Sequence, residues 1–373
     1  MVGSVSEDAA VQEDGNRHLV DAERRRGRGT RSNVSGRFEA ETRETIDDGW
    51  ESGADLPAFK TTIHPETART VITRNDSPDI SFDQSVNPYR GCEHGCTYCY
   101  ARPTHCYLGH SAGLDFETQL YAKPNAAELL EAELAKSSYK PATIALGTNT
   151  DPYQPIERQL GITRQILEVL ETACHPVAIV TKSALVLRDQ DILSRMADNG
   201  LAKVALSVTT LDRRLARAME PRASTPSKRL QALAVLSAAG IPTAVMVAPV
   251  IPALNDHEIE GILEAALKAG VKEAGYVMLR LPLEIKELFR EWLATDYPDR
   301  SNRVIKLVKD MHDGRDYRSE FGLRQKGSGP YAAQVAMRFR LALKRLGLNE
   351  CREQLRTDLF RSPATKSGQL SLI

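Results

Sequence analysis

The chain has 373 residues, 42% of them hydrophobic, with 49 Lys+Arg balanced by 49 Asp+Glu. That is enough apolar material for one large domain with appendages or for two domains. No apolar run approaches the roughly 18 residues of a membrane span, and the acidic, polar N-terminus does not read as a signal peptide, so the expected setting is the cytoplasm.

Residues 1–33 read as a disordered tail, polar and without apolar periodicity; its run Arg24-Arg25-Arg26-Gly27-Arg28-Gly29 is basic enough to touch phosphates or simply to be solvated. Residues 34–83, with Phe38, Trp50 and Leu56, read as an extension packing on the core. From residue 84 short β-rich runs alternate with amphipathic stretches. Strands are expected at Ser85–Tyr89, Thr143–Gly147, Val177–Thr181, Lys203–Val208, Thr243–Pro249 and Glu273–Leu279. Helices are expected at 126–136, 163–173, 189–199, 226–239, 256–269 and 283–294. Thr225 and Asn255 are placed to cap helix starts, Pro226 suits a first helical position, and Gly200, Gly240 and Gly270 suit helix ends. Six β/α units over 84–295 imply an α/β fold with a parallel sheet and right-handed crossovers. Residues 296–361 form a helical, basic C-terminal region: 300–361 hold 15 Lys+Arg against 7 Asp+Glu, net +8, while 1–299 carry net −9. A polyanionic partner and a set of solvated helix faces explain this equally well. Residues 362–373 read as a flexible tail.

The densest chemistry follows the first strand. In Arg90-Gly91-Cys92-Glu93-His94-Gly95-Cys96-Thr97-Tyr98-Cys99-Tyr100, three cysteines share one loop with two conformationally free glycines. Three thiolates can hold three irons of a 4Fe–4S cube and leave the fourth open. Structural zinc asks for a fourth ligand; only Cys106 is at hand, without a second Cys pair. A disulfide framework does not suit three close cysteines, and Cys174 and Cys351 sit in helical patterns as inert residues. The loop resembles the signature of the radical S-adenosylmethionine (radical SAM) superfamily, including the aromatic Tyr98 before the last cysteine. That resemblance implies a partial (β/α)6 TIM-like barrel of the radical SAM type, metal ligands Cys92, Cys96 and Cys99, and two cofactors, a 4Fe–4S cluster and SAM. In that fold the site lies at the C-terminal ends of the strands.

The resemblance also places a SAM pocket. The polar stretch Gly147–Glu157, with Thr148, Asn149, Thr150 and Asp151, occupies the position of the family's segment for the methionine amino group. Lys182 after the third strand, and Arg222, could meet the SAM carboxylate. Ser207 suits the ribose or carboxylate, and the stretch 247–252 around Val250 suits the adenine. The loop, Thr-Asp-Pro at 150–152 and Thr-Lys-Ser at 181–183 resemble the branch that contains spore photoproduct lyase and DNA repair photolyase-like proteins. Ser85–Cys92, Gly109-His110 and Gly327–Ala332 extend the likeness to a bacterial subgroup of that branch. The lyase carries a hydrogen-donating cysteine where this chain has Thr148. An O–H bond is far stronger than an S–H bond, so activity on that lesion is not expected.

The expected function is therefore a radical SAM enzyme of lyase or transferase type, abstracting hydrogen from an unassigned substrate for which DNA or RNA is a candidate. A flavodoxin or ferredoxin would supply electrons. The alternative is a nucleic-acid-binding or repair-associated protein whose cluster is structural or carries electrons. Arg338, Arg340, Lys344 and Arg345, near one expected helix, are the phosphate-binding candidates. Finally, Gln369, Leu370, Leu372 and Ile373 resemble a bacterial sliding-clamp-binding pentapeptide, with Ile373 replacing the usual Phe.

Overall fold

The computed structural model of the chain describes residues 19–42 and 57–363. The strands in chain order are β1 (Thr62–Pro65), β2 (Ile72–Arg74), β3 (Gln84–Val86), β4 (Tyr89–Arg90), β5 (Gln119–Ala122), β6 (Ile144–Leu146), β7 (Val177–Thr181), β8 (Ala202–Ser207), β9 (Thr243–Val250) and β10 (Glu273–Met278). The longer helices are α1 (Ala126–Leu134), α2 (Ile162–Thr172), α3 (Gln190–Asp198), α4 (Arg213–Met219), α5 (Pro226–Ala238), α6 (Ile259–Lys268), α7 (Ile285–Asp296), α8 (Pro298–Asp310) and α9 (Gly329–Leu346).

Six strands run parallel in the order β3-β6-β7-β8-β9-β10, and antiparallel β2 closes the β3 edge. The sheet is an open arc with β10 and β2 at its edges, a partial barrel of six β/α units. All six expected strands and all six expected helices are present, with ends moved by a few residues at most. The reason is visible in β7, where Val177, Ile179 and Thr181 are buried and the residues between are half-buried. In α2, Ile162, Ile166, Leu167 and Leu170 form one buried stripe. Gly200, Gly240 and Gly270 take φ of +68°, +79° and +83° just past α3, α5 and α6, the left-handed conformation that ends a helix.

A second apolar cluster joins the cysteine loop to the helices beyond the sheet. Cys96 and Tyr98 share it with Leu215 and Met219 of α4, Phe289 and Trp292 of α7, and Val304 and Val308 of α8. Trp292 is buried and donates its indole N–H to Ala218 O at 3.1 Å; burying such a ring stabilises by about 2–3 kcal/mol. Residues 285–310 thus pack against the cysteine loop and α4.

Three expectations need correction. Residues 19–33 are seated, not solvated throughout: Arg28, Thr30 and Ser32 are buried. Their anchor is the buried carboxylate of Glu117, 87 residues away from Thr30, which local composition does not reveal. Thr225 stands at its helix start without a capping bond, its hydroxyl meeting that of Ser227 at 3.2 Å, and none is made by Asn255. Its side chain instead accepts from Ile251 N at 2.6 Å and donates to Thr209 O and Pro249 O at 2.8 and 3.0 Å, tying the ends of β8 and β9 together. Arg338 and Arg345 of α9 do not face solvent as a free pair: Arg338 binds Glu260 at 2.6 Å and Arg345 binds Glu264 at 2.6 Å, docking α9 on α6. The clamp-like residues Gln369, Leu370, Leu372 and Ile373 lie outside the described residues, as do Trp50 and Leu56.

Candidate active site

Chain direction alone brings the cysteine loop to the C-terminal end of the parallel strands, because it follows β3 and β4. Gly91 and Gly95 have φ of +74° and +66°. A Cβ on Gly91 would lie 2.7 Å from Leu120, and one on Gly95 would lie 2.7 Å from the Glu117 carboxylate. Glycine is therefore required at both by backbone angle and by space. The loop is pinned from two sides. Arg102, fully buried, donates to Cys96 O at 2.9 Å, to Ala112 O and Gly113 O at 3.1 and 2.8 Å, and to Glu117 at 2.6 Å. Gln154 accepts from Glu93 N at 2.9 Å and donates to Gly91 O at 3.1 Å. The N-terminal strap completes this lock: Glu117 accepts from Gly29 N at 2.8 Å and from Thr30 N and Oγ1, both at 3.0 Å. An added Cβ on Gly29 would sit 1.6 Å from Gly95 O, so the strap's backbone rests directly on the loop.

Cys92, Cys96 and Cys99 line one cavity with His94, Tyr100, Gly147, Asn149, Thr150, Asp151, Thr181, Lys182 and Ser207. It continues outward into a space of about 230 Å3 that shares Cys96, Cys99, Tyr100, Lys182 and Ser207 and adds Tyr98, Met246, Ala248, Pro249, Val277, Met278, Arg280 and Gln325. Asp151 organises its inner wall. It accepts from Thr181 Oγ1 at 2.6 Å, Tyr153 N at 2.9 Å and Lys182 N at 2.7 Å, with His94 Nδ1 at 3.3 Å. Burial opposes its charge, but His94 and these donors hold it down to about 2. Burial also disfavours the Lys182 ammonium, yet Cys96 and Glu220 outweigh it and keep its pKa above the usual lysine value. The ammonium stands 5.8 Å from the centre of the Tyr98 ring. Tyr98 donates its hydroxyl to Glu220, which Thr209 also reaches at 2.7 Å and Arg229 closes as a buried ion pair. Arg229 further donates to Ser207 O at 2.9 Å, fixing that strand end.

Of the residues singled out from sequence, Cys92, Cys96, Cys99, Tyr98, Asn149, Thr150, Asp151, Lys182 and Ser207 border this space. Three do not. Thr148 sits behind Tyr100, its carbonyl accepting the Tyr100 hydroxyl. Arg222 is held outside by Glu93 at 2.8 Å and Gly27 O at 3.1 Å. Val250 turns into the core, and Met246, Ala248 and Pro249 supply the apolar wall instead. Among residues that sequence reasoning passed over, Glu220 and Arg229 have no local signal, since Glu220 lies among Arg217 and Arg222, Arg229 beside Lys228, and nothing along the chain marks the two as partners. Arg280 and Gln325 had none either.

The donor set fits an iron–sulfur cube. Cys92 and Cys96 are buried, Cys99 is half-buried, and all three are free thiols on one wall. Burial, reinforced by Asp151, pushes the Cys92 thiol well above its usual range; burial pushes Cys96 up to about 12 against the pull of Lys182. Such thiols keep their protons until a metal displaces them. Among the described residues no three His, Cys, Asp or Glu side chains group around a single ion position, whereas a cube takes each thiolate on a separate iron. Cys106 is buried beside Glu284 and Arg37, with Ala112 and Leu288, and lines neither part of the cavity.

The family model of the radical SAM superfamily matches residues 86–266. An uncharacterised protein of Mycobacterium tuberculosis is 36% identical over 251 residues, covering 66% of this chain and 74% of that one. An uncharacterised protein of Methanocaldococcus jannaschii is 28% identical over 215 residues, covering 57% and 76%. Spore photoproduct lyase, solved with a dinucleoside spore photoproduct, superposes with a TM-score of 0.55 at 17% identity, covering 77% of this chain and 80% of that one. At that identity the likeness is one of fold.

Proposed function

The chain belongs to the radical SAM superfamily, and on that premise we propose that Cys92, Cys96 and Cys99 hold its 4Fe–4S cluster and that SAM lies against Lys182, Ser207 and the turn 149–151, for hydrogen abstraction from a substrate whose candidate class is nucleic acid. The enzyme is a radical SAM enzyme, and its cofactors are the cluster and SAM. Once bound, they supply a 5′-deoxyadenosyl radical by one-electron cleavage of SAM, the electron coming from a reducing partner of the flavodoxin or ferredoxin kind. The observation that carries the assignment is one cavity, at the C-terminal ends of the parallel strands, shared by three cysteines and an ammonium with no ion pair among the described residues.

The chain's own residues do four things. Lys182 offers a cation to the SAM carboxylate and has no carboxylate of its own among the described residues. Asp151 holds His94 and the Thr181–Lys182 turn in place, and Thr150 anchors the same segment by donating to Tyr89 O at 2.9 Å. Tyr98, fixed by Glu220, gives the pocket a rigid aromatic wall, and Pro249 with Ala248 and Met246 gives it an apolar one. Helices α7 and α8 back the Cys96–Tyr98 segment through the apolar cluster of Phe289, Trp292, Val304 and Val308. A cluster of this kind suits the reducing cytoplasm, and among the described residues no helix is long and apolar enough to cross a membrane.

The test is anaerobic reconstitution followed by reduction with dithionite in the presence of SAM. The expected result is about four irons per chain and formation of 5′-deoxyadenosine and methionine. Iron incorporation without any 5′-deoxyadenosine would leave a cluster with a structural or electron-carrying role and refute the enzymatic assignment.

A further inference from the structure

The outer part of the cavity holds a second cation that no cofactor contact uses. Arg280 follows β10 and lines that part beside Tyr100, Met278 and Gln325. It does not border the inner part, where Lys182 stands with Cys92, His94 and Asp151. Its guanidinium lies 4.7 Å from the centre of the Tyr100 ring and 5.9 Å from that of Tyr317. The fork makes one long contact, NH2 to the Tyr317 hydroxyl at 3.4 Å. Its Nε is shielded from water and has no partner among the described residues.

Three other enclosed arginines are ion-paired, while Arg28 is held by Glu117 O, Phe59 O and the Thr61 hydroxyl. Arg102 pairs with Glu117, Arg229 with Glu220, and Arg188 with Glu157 and Asp189. Asp79, which feels the charge of Arg280, is already taken by Arg324 at 2.5 Å and by Gly322 N at 2.6 Å. A guanidinium whose Nε is shielded, and whose fork opens on a cavity with no carboxylate partner among the described residues, is set to take an anionic acceptor from a ligand. The segment that frames it is fixed: Gln325 O accepts from Met278 N at 2.8 Å, and Arg290 binds Asp316 at 2.6 Å. Beside the fork stand the rings of Tyr100, 44% exposed, and Tyr317. Planar rings interleaved with guanidinium groups are what a stacked base and its phosphate require.

We propose that Arg280 is the substrate anchor of this site, gripping a phosphate oxyanion at the cavity mouth while Tyr100 presents a ring face to the attached base. The inference rests on the radical SAM reading of the cavity and adds a substrate subsite to it. The phosphate belongs to a nucleotide, either within a single strand or free in solution. Lys182 stays with the cofactor, because Arg280 emerges three strand spacings away, roughly 14 Å at about 4.8 Å per strand.

The experiment uses anaerobic holoprotein with cluster and SAM, and follows anisotropy of a fluorescein-labelled single-stranded DNA 10-mer. A nucleoside monophosphate is the competitor. Saturable, salt-sensitive binding is expected, with Arg280→Gln lowering affinity about tenfold and the salt slope by about one. Arg280→Lys should recover only part of the loss, since it restores charge without the planar fork. Lys268→Gln, at the C-terminal end of α6, should bind like the parent. Competition at micromolar monophosphate assigns the subsite to a free nucleotide, and competition only at far higher concentration assigns it to a strand; either result supports it. Failure of both probes to bind, equal binding by Arg280→Gln, or a fall in SAM affinity in that variant would overturn the assignment. Cluster content and SAM cleavage are read in the parent without nucleotide, so a failure of the enzymatic reading shows itself separately.

Discussion

Glu117 shows how much one buried carboxylate can organise. It receives Arg102, Gly29 N and both donors of Thr30, so it fixes the cysteine loop and the strap in one place. Glu117→Ala strands the fully buried Arg102 guanidinium and should cost about 3–5 kcal/mol, read as a lowered urea midpoint. The cysteines divide by the same kind of evidence. Alanine at Cys92, Cys96 or Cys99 should abolish the cluster's visible absorbance, since each thiolate serves a different iron. Cys106→Ala should keep it, because Cys106 packs against Ala112 and Leu288 away from the cavity. Lys182→Ala should weaken SAM binding about tenfold at unchanged iron content, the loss of one charge-assisted contact. Arg222→Ala should leave SAM affinity as it is, because Glu93 and Gly27 hold that guanidinium outside.

The start of β7 carries a pH response. His175 is buried, with Tyr139 at 2.7 Å and Phe360 edge-on at 5.4 Å between ring centres. Burial lowers its pKa from 6.5 to about 4. The unfolded chain therefore binds a proton that the folded chain refuses between those values. Stability is full above pH 6.5 and falls as pH drops toward 4, by up to about 3 kcal/mol from this residue. His105, next to Cys106, is lowered to about 4 as well, by burial above all, so the effect is isolated by difference. His175→Gln should flatten the loss of stability between pH 7 and 5 by about 2 kcal/mol in chemical denaturation; an unchanged slope would show that the imidazole is not kept neutral.

At the scale of the whole molecule, the charge imbalance between the C-terminal region and the body is spent partly inside the protein. Arg338 and Arg345 join α9 to α6, and Arg324 joins the rim segment to Asp79. These are partly exposed pairs, so each contributes little. Arg338→Glu would set a like charge beside Asp256 and Glu260 and should lower stability by about 1 kcal/mol, seen as a small drop in Tm that shrinks in high salt. Its effect on oligonucleotide affinity should be far smaller than that of Arg280→Gln.

The sequence by itself determined the β/α alternation, the helix ends and the cysteine loop. Each of these is local: alternation and 3.6-residue stripes report burial, glycine reports a left-handed turn, and Cys-x3-Cys-x2-Cys reports three thiolates on one loop. It also placed Asp151, Lys182 and Ser207, since a parallel strand delivers whatever follows it to the same end of the barrel. Only the tertiary structure decided which charges meet. Glu117 with Arg102 and residues 29–30, Glu220 with Arg229 and Tyr98, and Arg222 with Glu93 are pairs made across the fold, and their partners are unreadable along the chain. For the same reason Val250 turned inward, Asn255 became a tie between strands, and Arg280, unremarkable in sequence, emerged in the cavity with no carboxylate partner among the described residues.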